Sequence, residues 1–191
     1  MPKKPARYGI KIFTVVDFRT FYTLNMEIYS GQQPDGSYKK VNSSCEKAKC
    51  ILAPLYNSGR NIFQNCHVLF DTDSWYTSYE LANFLQKNKI SIVGTICKDK
   101  KIIPPELVSN NNKEQHSTLL GFQKDIMLLS YMAEKNKCVN LLSTMHNDDH
   151  IDESTGDLKK SEVIMFYNMT KGAVDIVDEM GGTYSMARIS N

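Results

Sequence analysis

The sequence predicts an α/β fold, a mixed sheet with flanking helices. Residues 8–30 read as two strand-forming runs around a turn, and residues 67–97 as strand, helix, strand. A further pair of apolar runs, at 125–131 and 138–143, adds strands after these.

The first strand runs from Ile10 to Val16. Asp17-Phe18-Arg19-Thr20 turns the chain, and Tyr22 to Tyr29 returns with β-branched and aromatic residues. Gly31 to Gly36 is a loop by its Gly, Pro and Asp content. Residues 44–56 read as a helix, with Ser44 as its cap, Pro54 in its last turn and Gly59 beyond its end. A buried strand at His67–Phe70 precedes Asp73. In 79–88 the apolar residues Leu81, Phe84 and Leu85 recur with a helical period, and Ser91 to Cys97 is the next strand. Strand, helix, strand in this order is a parallel crossover unit.

Residues 98–118 are polar and turn-rich, with Pro104, Pro105 and three successive asparagines. They read as a loop or the start of an insertion. The runs at 125–131 and 138–143 are strands joined by a charged turn, and His146 to Gly156 is another polar loop. Val163 to Tyr167 reads as a short strand, leading into a helix that starts near Asn168.

Bulk properties narrow the class. The 191 residues, 41% of them apolar, suit one domain, 1–191, carrying an insertion. No apolar run reaches the length of a membrane span, so no membrane partner is expected. No apolar stretch follows the charged Met1–Arg7, so no signal peptide is expected. Five cysteines, an odd number, then fit reduced thiols in a cytosolic or nuclear compartment. Without a secretory route, the sequons at Asn42 and Asn168 read as chance matches. A net charge of +2 argues only weakly for nucleic acid, although Lys3, Lys4, Arg7 and Lys11 cluster near Asp17, and Lys98, Lys100 and Lys101 follow a strand.

Three aspartates stand at the edges of apolar runs: Asp17, Asp73 and Asp175. Carboxylates far apart in sequence, each ending a regular element, can converge on one edge of a sheet. Hard oxygen ligands there suit Mg²⁺ or Mn²⁺. Two such ions could clamp the attacking and leaving oxygens of a phosphodiester. The plainer alternative is that Asp is a common turn and cap residue. Asp175 and Asp178 lie three apart on one helical face, the slim Gly172 and Ala173 preceding them. Asp71 and Asp73 share one side of an extended strand, which leaves either as the ligand. Trp75 and Tyr76 could stack on an unpaired base or pack beneath the site. The ligand-type residues of the loop His146 to Asp152 lack a rigid frame, which weighs against a metal site there. Cys45 and Cys50 lack a second pair of partners, which weighs against zinc.

The motifs resemble a known family. In order they are Tyr8-Gly-Ile-Lys-Ile12 with Asp17, Asp73-Ser-Trp-Tyr-Thr-Ser78, Ile92-Val-Gly-Thr95, Ile103-Pro-Pro-Glu106, Leu141-Leu-Ser-Thr144, and Tyr167 to Asp178. Together they resemble the transposase domain of piggyBac-type elements and the host proteins derived from them, over nearly the whole chain. The resemblance implies a partial ribonuclease H-like core with a β-containing insertion at 98–161, between the second and third aspartates. It implies a catalytic, metal-binding trio of Asp17, Asp73 and Asp175, with Asp178 as an acidic helper at the metal. The implied activity is Mg²⁺- or Mn²⁺-dependent cleavage of DNA at element ends and joining of the freed 3′ hydroxyl to target DNA. Water or a sugar hydroxyl attacks directly. The implied partner is DNA, transposon ends and target site, with room for a homodimer; the implied location is the nucleus.

Departures from the family pattern bear on activity. Gly172-Ala-Val-Asp175 stands where Gly-Gly-Val-Asp is usual, and Glu179 and Cys97 replace a customary Gln and a basic residue. The interval before Asp73 is longer than usual, which loosens the register there. Relatives also continue beyond both ends of the resemblance. The expectation is a truncated copy, weakly active or inactive alone. The alternative is a non-catalytic, transposon-derived DNA-binding or interaction module.

Overall fold

The computed structural model describes residues 11–29, 31, 43–57, 69–72, 74–109 and 113–183. Lys3, Lys4, Arg7, the loop at 32–36, Gly59, His67 and Asp73 lie outside them. The chain divides into two units, residues 1–57 with 172–191, and residues 58–171.

In the first unit, β1 (Ile12–Val16) pairs antiparallel with β2 (Thr23–Ile28), the hairpin expected from two strand-forming runs around a turn. A register shift falls between Val15 and Val16. Phe13 and Val15 are buried, and the Phe13 ring meets Tyr29 edge to face at 5.7 Å. Helix α1 (Ser44–Asn57) packs on the hairpin and carries Pro54 within it. Its cap is Ser43, not Ser44: the Ser43 hydroxyl accepts from the Glu46 amide at 3.2 Å. Ser43 and Glu46 have the spacing of a capping box, so the motif starts one residue earlier than expected.

Strand β2 reverses the usual alternation. Leu24, Met26 and Ile28 are exposed, whereas Asn25 and Glu27 reach polar partners on α1. Asn25 Nδ2 donates to the Ile51 carbonyl at 2.8 Å, and Lys47 Nζ donates to Glu27 Oε1 at 3.2 Å. The Lys47 side chain is only 6% exposed. Removing the carboxylate alone leaves a buried ammonium without that acceptor. Glu27→Gln is therefore expected to destabilise the chain by about 1–3 kcal/mol. Adding Lys47→Met should recover most of that loss in urea melts. Equal losses in the single and double variants would show that the unpaired ammonium is not the source of the penalty.

The second unit is built on five strands. β3 (Leu69–Thr72) and β4 (Ser91–Thr95) run parallel, joined across α2 (Tyr79–Lys87), as the strand–helix–strand pattern predicts. Ser78 caps α2 by accepting from the Leu81 amide, and Leu81, Ala82 and Leu85 are buried. A short helix, α3 (Pro105–Val108), interrupts the region read as loop. Three antiparallel strands follow: β5 (Thr118–Gln123), β6 (Ile126–Glu134) and β7 (Lys137–Ser143). β6 and β7 match the expected strands, and β5 is additional. Two-residue turns join them, with Lys124 and Asn136 at positive φ, as tight hairpins require. The sheet order is β3-β4-β7-β6-β5, so residues 98–161 extend the sheet of the crossover unit through the β4–β7 ladder.

Residues 163–167 are helical, not a strand. They belong to α4 (Glu162–Thr170), which packs Val163, Ile164 and Tyr167 against Val93, Met127, Leu129, Tyr131 and Leu141 of the sheet. Apolar residues at i, i+1 and i+4 make one helical face. Burial of that face outweighs the local strand propensity of Val, Ile, Phe and Tyr. On the opposite sheet face Ser130 donates to the Leu107 carbonyl at 2.6 Å, while Lys113 Nζ donates to Leu107 O and Ser130 Oγ at 3.0 and 2.8 Å. Gly121 lies beneath α3; a Cβ there would stand 3.1 Å from Leu107 Cδ1. After Lys171 and Gly172 the chain enters α5 (Ala173–Thr183), in the first unit.

Candidate functional site

Asp17 follows β1 directly and closes a tight turn. Its amide donates to the Tyr22 carbonyl, and its carbonyl accepts from the Phe21 amide. Oδ1 accepts from the Arg19 amide at 3.2 Å, and Oδ2 accepts from Thr20 Oγ1 at 2.5 Å. These bonds, Thr20 first, hold the carboxyl below the usual carboxylate range, so Asp17 is ionised at neutral pH. Each oxygen retains acceptor capacity, so the turn-forming role and a ligand role are compatible. The linkage follows from the depressed pKa. The turn's contribution is complete above the ordinary carboxylate range and is lost as pH falls through the Asp17 value. Thr20→Val should move the Asp17 midpoint upward in a carboxyl-detected NMR titration; an unchanged midpoint would remove Thr20 as the cause.

Asp175 stands in the first turn of α5, and Asp178 follows one turn later. Ala173 is buried and Val177 half-buried on the inward side, whereas Asp175 and Asp178 are exposed. α5 contacts β1, so the elements bearing Asp17 and Asp175 belong together in one unit. The ligand atoms of Asp17, Asp175 and Asp178 do not all come within 4.8 Å of one another, so these three form no complete cluster by themselves. Among the described residues, nothing lies within 4 Å of a Cβ placed on Gly172, so no described element makes a close approach there.

The second expected ligand, Asp73, lies outside the described residues, and Asp71 pairs in register with Val93 of β4. Convergence on one sheet edge would have Asp17 and Asp73 end neighbouring strands. The described ladders join β1 to β2 and β3 to β4, in separate sheets. The hairpin occupies one edge of β1, and the described ladder of β3 is only four residues long. Beyond Asp73, the Trp75 and Tyr76 rings meet edge to face at 4.7 Å, with Trp75 42% exposed.

His146, Asp148, Asp149, His150 and Asp152 do not gather into a three-ligand group among the described residues. Asp152 instead caps a short 3₁₀ helix at Glu153–Leu158, accepting from the Ser154 amide at 2.9 Å. Cys45 is buried and Cys50 exposed on α1. The sequence reading missed a buried contact at the end of β7, where Ser143 Oγ lies 2.9 Å from His146 Nδ1. The Ser-x-x-His spacing after an apolar run was its only signal.

Comparison with known proteins supplies the context. The model of the family described as Transposase IS4 matches residues 1–191. A solved structure, described as a cryo-EM structure of piggyBac transposase synaptic complex with hairpin DNA, is similar over the whole chain at 34% identity with a TM-score of 0.81. The chain spans 38% of the length of that protein.

Proposed function

The chain belongs to the Transposase IS4 family as a relative of the piggyBac-type transposases, and we propose that it is a DDD transposase domain acting on DNA. One observation carries the reading: a family match over residues 1–191 coincides with an ionised Asp17 at the end of β1 and Asp175 on a helix in contact with β1. Asp73 completes the trio by its motif, and Asp178 assists. The core is ribonuclease H-like, and residues 98–161 are the family-specific insertion, whose strands extend the crossover sheet. The partner is DNA, element ends and target site, and the working form is a homodimer in the nucleus.

The donor set fits a divalent cation. Carboxylates are hard oxygen donors, Asp17 is held ionised, and Asp175 and Asp178 face solvent. Mg²⁺ or Mn²⁺ held by Asp17, Asp73, Asp175 and Asp178 supplies Lewis-acid stabilisation of the phosphodiester oxygens. The chain's own residues do the rest. The Thr20 hydroxyl and Arg19 amide orient the Asp17 carboxylate. The α5 backbone fixes the spacing of Asp175 and Asp178. Trp75 offers an exposed ring to an unpaired base near Asp73.

The test is nicking of supercoiled and hairpin DNA with Mg²⁺, Mn²⁺ or Ca²⁺. Nicking that requires Mg²⁺ or Mn²⁺ is the expected result. Salt-sensitive DNA binding without nicking in any of these ions would favour a non-catalytic DNA-binding module instead.

A further inference from the structure

We propose that His146 is an acid-released latch between the end of β7 and helix α4. The argument rests on hydrogen-bond accounting. Ser143 Oγ accepts from the Met145 amide and from the His146 amide, each at 3.1 Å. Those two bonds use both lone pairs of the hydroxyl. Its one proton is then directed to His146 Nδ1, 2.9 Å away. Nδ1 is therefore an acceptor, and the imidazole is neutral with its proton on Nε2.

The surroundings also disfavour a charged ring. His146 is 8% exposed and Ser143 is 1% exposed. Nε2 is buried without a hydrogen-bond partner. The ring packs edge to face on Phe166 of α4, with centroids 5.7 Å apart. Burial pushes the imidazole below its ordinary value of 6.5. Glu162, at the start of α4, and Asp148, two residues beyond His146, are the charged groups that act on it, and both oppose that shift.

Protonation at Nδ1 would aim an N–H at an oxygen that already receives two. The ring must then leave Ser143, and its contact with Phe166 goes with it. The sign is that of a depressed pKa. The latch contributes stability above the ordinary imidazole range, and that contribution is lost as pH falls through the His146 value. α4 runs through Lys171 and Gly172 into α5, so the latch secures the helix that precedes Asp175 in the chain.

Two measurements on the 191-residue chain test this. Long-range ¹H–¹⁵N spectra of the His146 ring should show the Nε2–H tautomer at pH 7.5 and a midpoint below 6.5. Ser143→Ala should raise that midpoint, because the hydrogen bond to the neutral ring is gone. Protection factors of α4 amides, corrected for intrinsic exchange, should fall as pH drops from 7.5 to 5 in the native chain. They should stay level in His146→Gln. An Nδ1–H tautomer, or a midpoint at or above 6.5, would overturn the latch in the native chain without any variant. So would the same loss of protection in His146→Gln.

Discussion

Asp17→Ala is expected to reduce Mg²⁺- or Mn²⁺-dependent nicking by at least about 100-fold, because displacing a group at a reacting centre by even 1 Å has an effect of that order. The substitution removes a donor that the turn holds ionised and orients through Thr20 and Arg19. Asp175→Ala should match it, since α5 offers that carboxylate from a helix in contact with β1. Asp178→Ala should have a smaller effect, as fits a helper. Thr20→Val keeps the carboxylate and removes the 2.5 Å bond that orients it and lowers its pKa, so its loss should lie between these limits. Absolute rates of the 191-residue chain should be low and strand joining absent. A net charge of +2 gives little electrostatic capture of DNA, and a two-metal site needs every carboxylate fixed by its supporting elements. The measurement is excision and joining on DNA carrying candidate ends, with Asp17→Ala as control. Robust joining abolished in the control would establish full competence for this chain; nicking that survives both Asp17→Ala and Asp175→Ala would remove them from the reaction.

Strong local periodicity made most of the fold legible. The β1–β2 hairpin and the crossover β3-α2-β4 follow from two strand-forming runs around a turn and from a helical stripe at Leu81, Phe84 and Leu85. Where local and tertiary preferences diverge, local reading failed. Val163 to Tyr167 has strand composition, but its partners are on the sheet beneath, and a helix buries Val163, Ile164 and Tyr167 together. Helix α3 begins with Pro105 at its first turn, a start signal masked by a loop-like composition. β5 contains Gly121, which weakens a strand pattern and here admits Leu107.

The candidate site divides in the same way. Asp17 was readable because a strand ends there, and the spacing of Asp175 and Asp178 because a helix carries them. The bonds from Thr20 and Arg19 to Asp17 depend on turn geometry that composition does not encode. The contact between Ser143 and His146 escaped notice because a polar loop rich in ligand-type residues hides a single buried ring.

Leu129→Ala is expected to lower stability by about 3 kcal/mol, within the range of about 2–5 for leucine truncation in a core. Leu129 is fully buried on β6, in register with Leu120 on one side and Leu141 on the other, and it shares a cluster with Val163 and Ile164 of α4. Backbone ladders on both sides of β6 restrain collapse into the vacated space, so the cavity penalty should persist. For a chain of this size such a loss lowers Tm by about 6–12 °C. Leu129→Met keeps the volume and should cost less than about 1.5 kcal/mol. Circular dichroism melts measure both variants. Because α4 lies on this cluster, its amides should also exchange faster in Leu129→Ala at every pH, unlike the pH-dependent loss set by His146. A penalty below about 1 kcal/mol for Leu129→Ala would mean that the sheet and α4 do not share the tightly packed core described here.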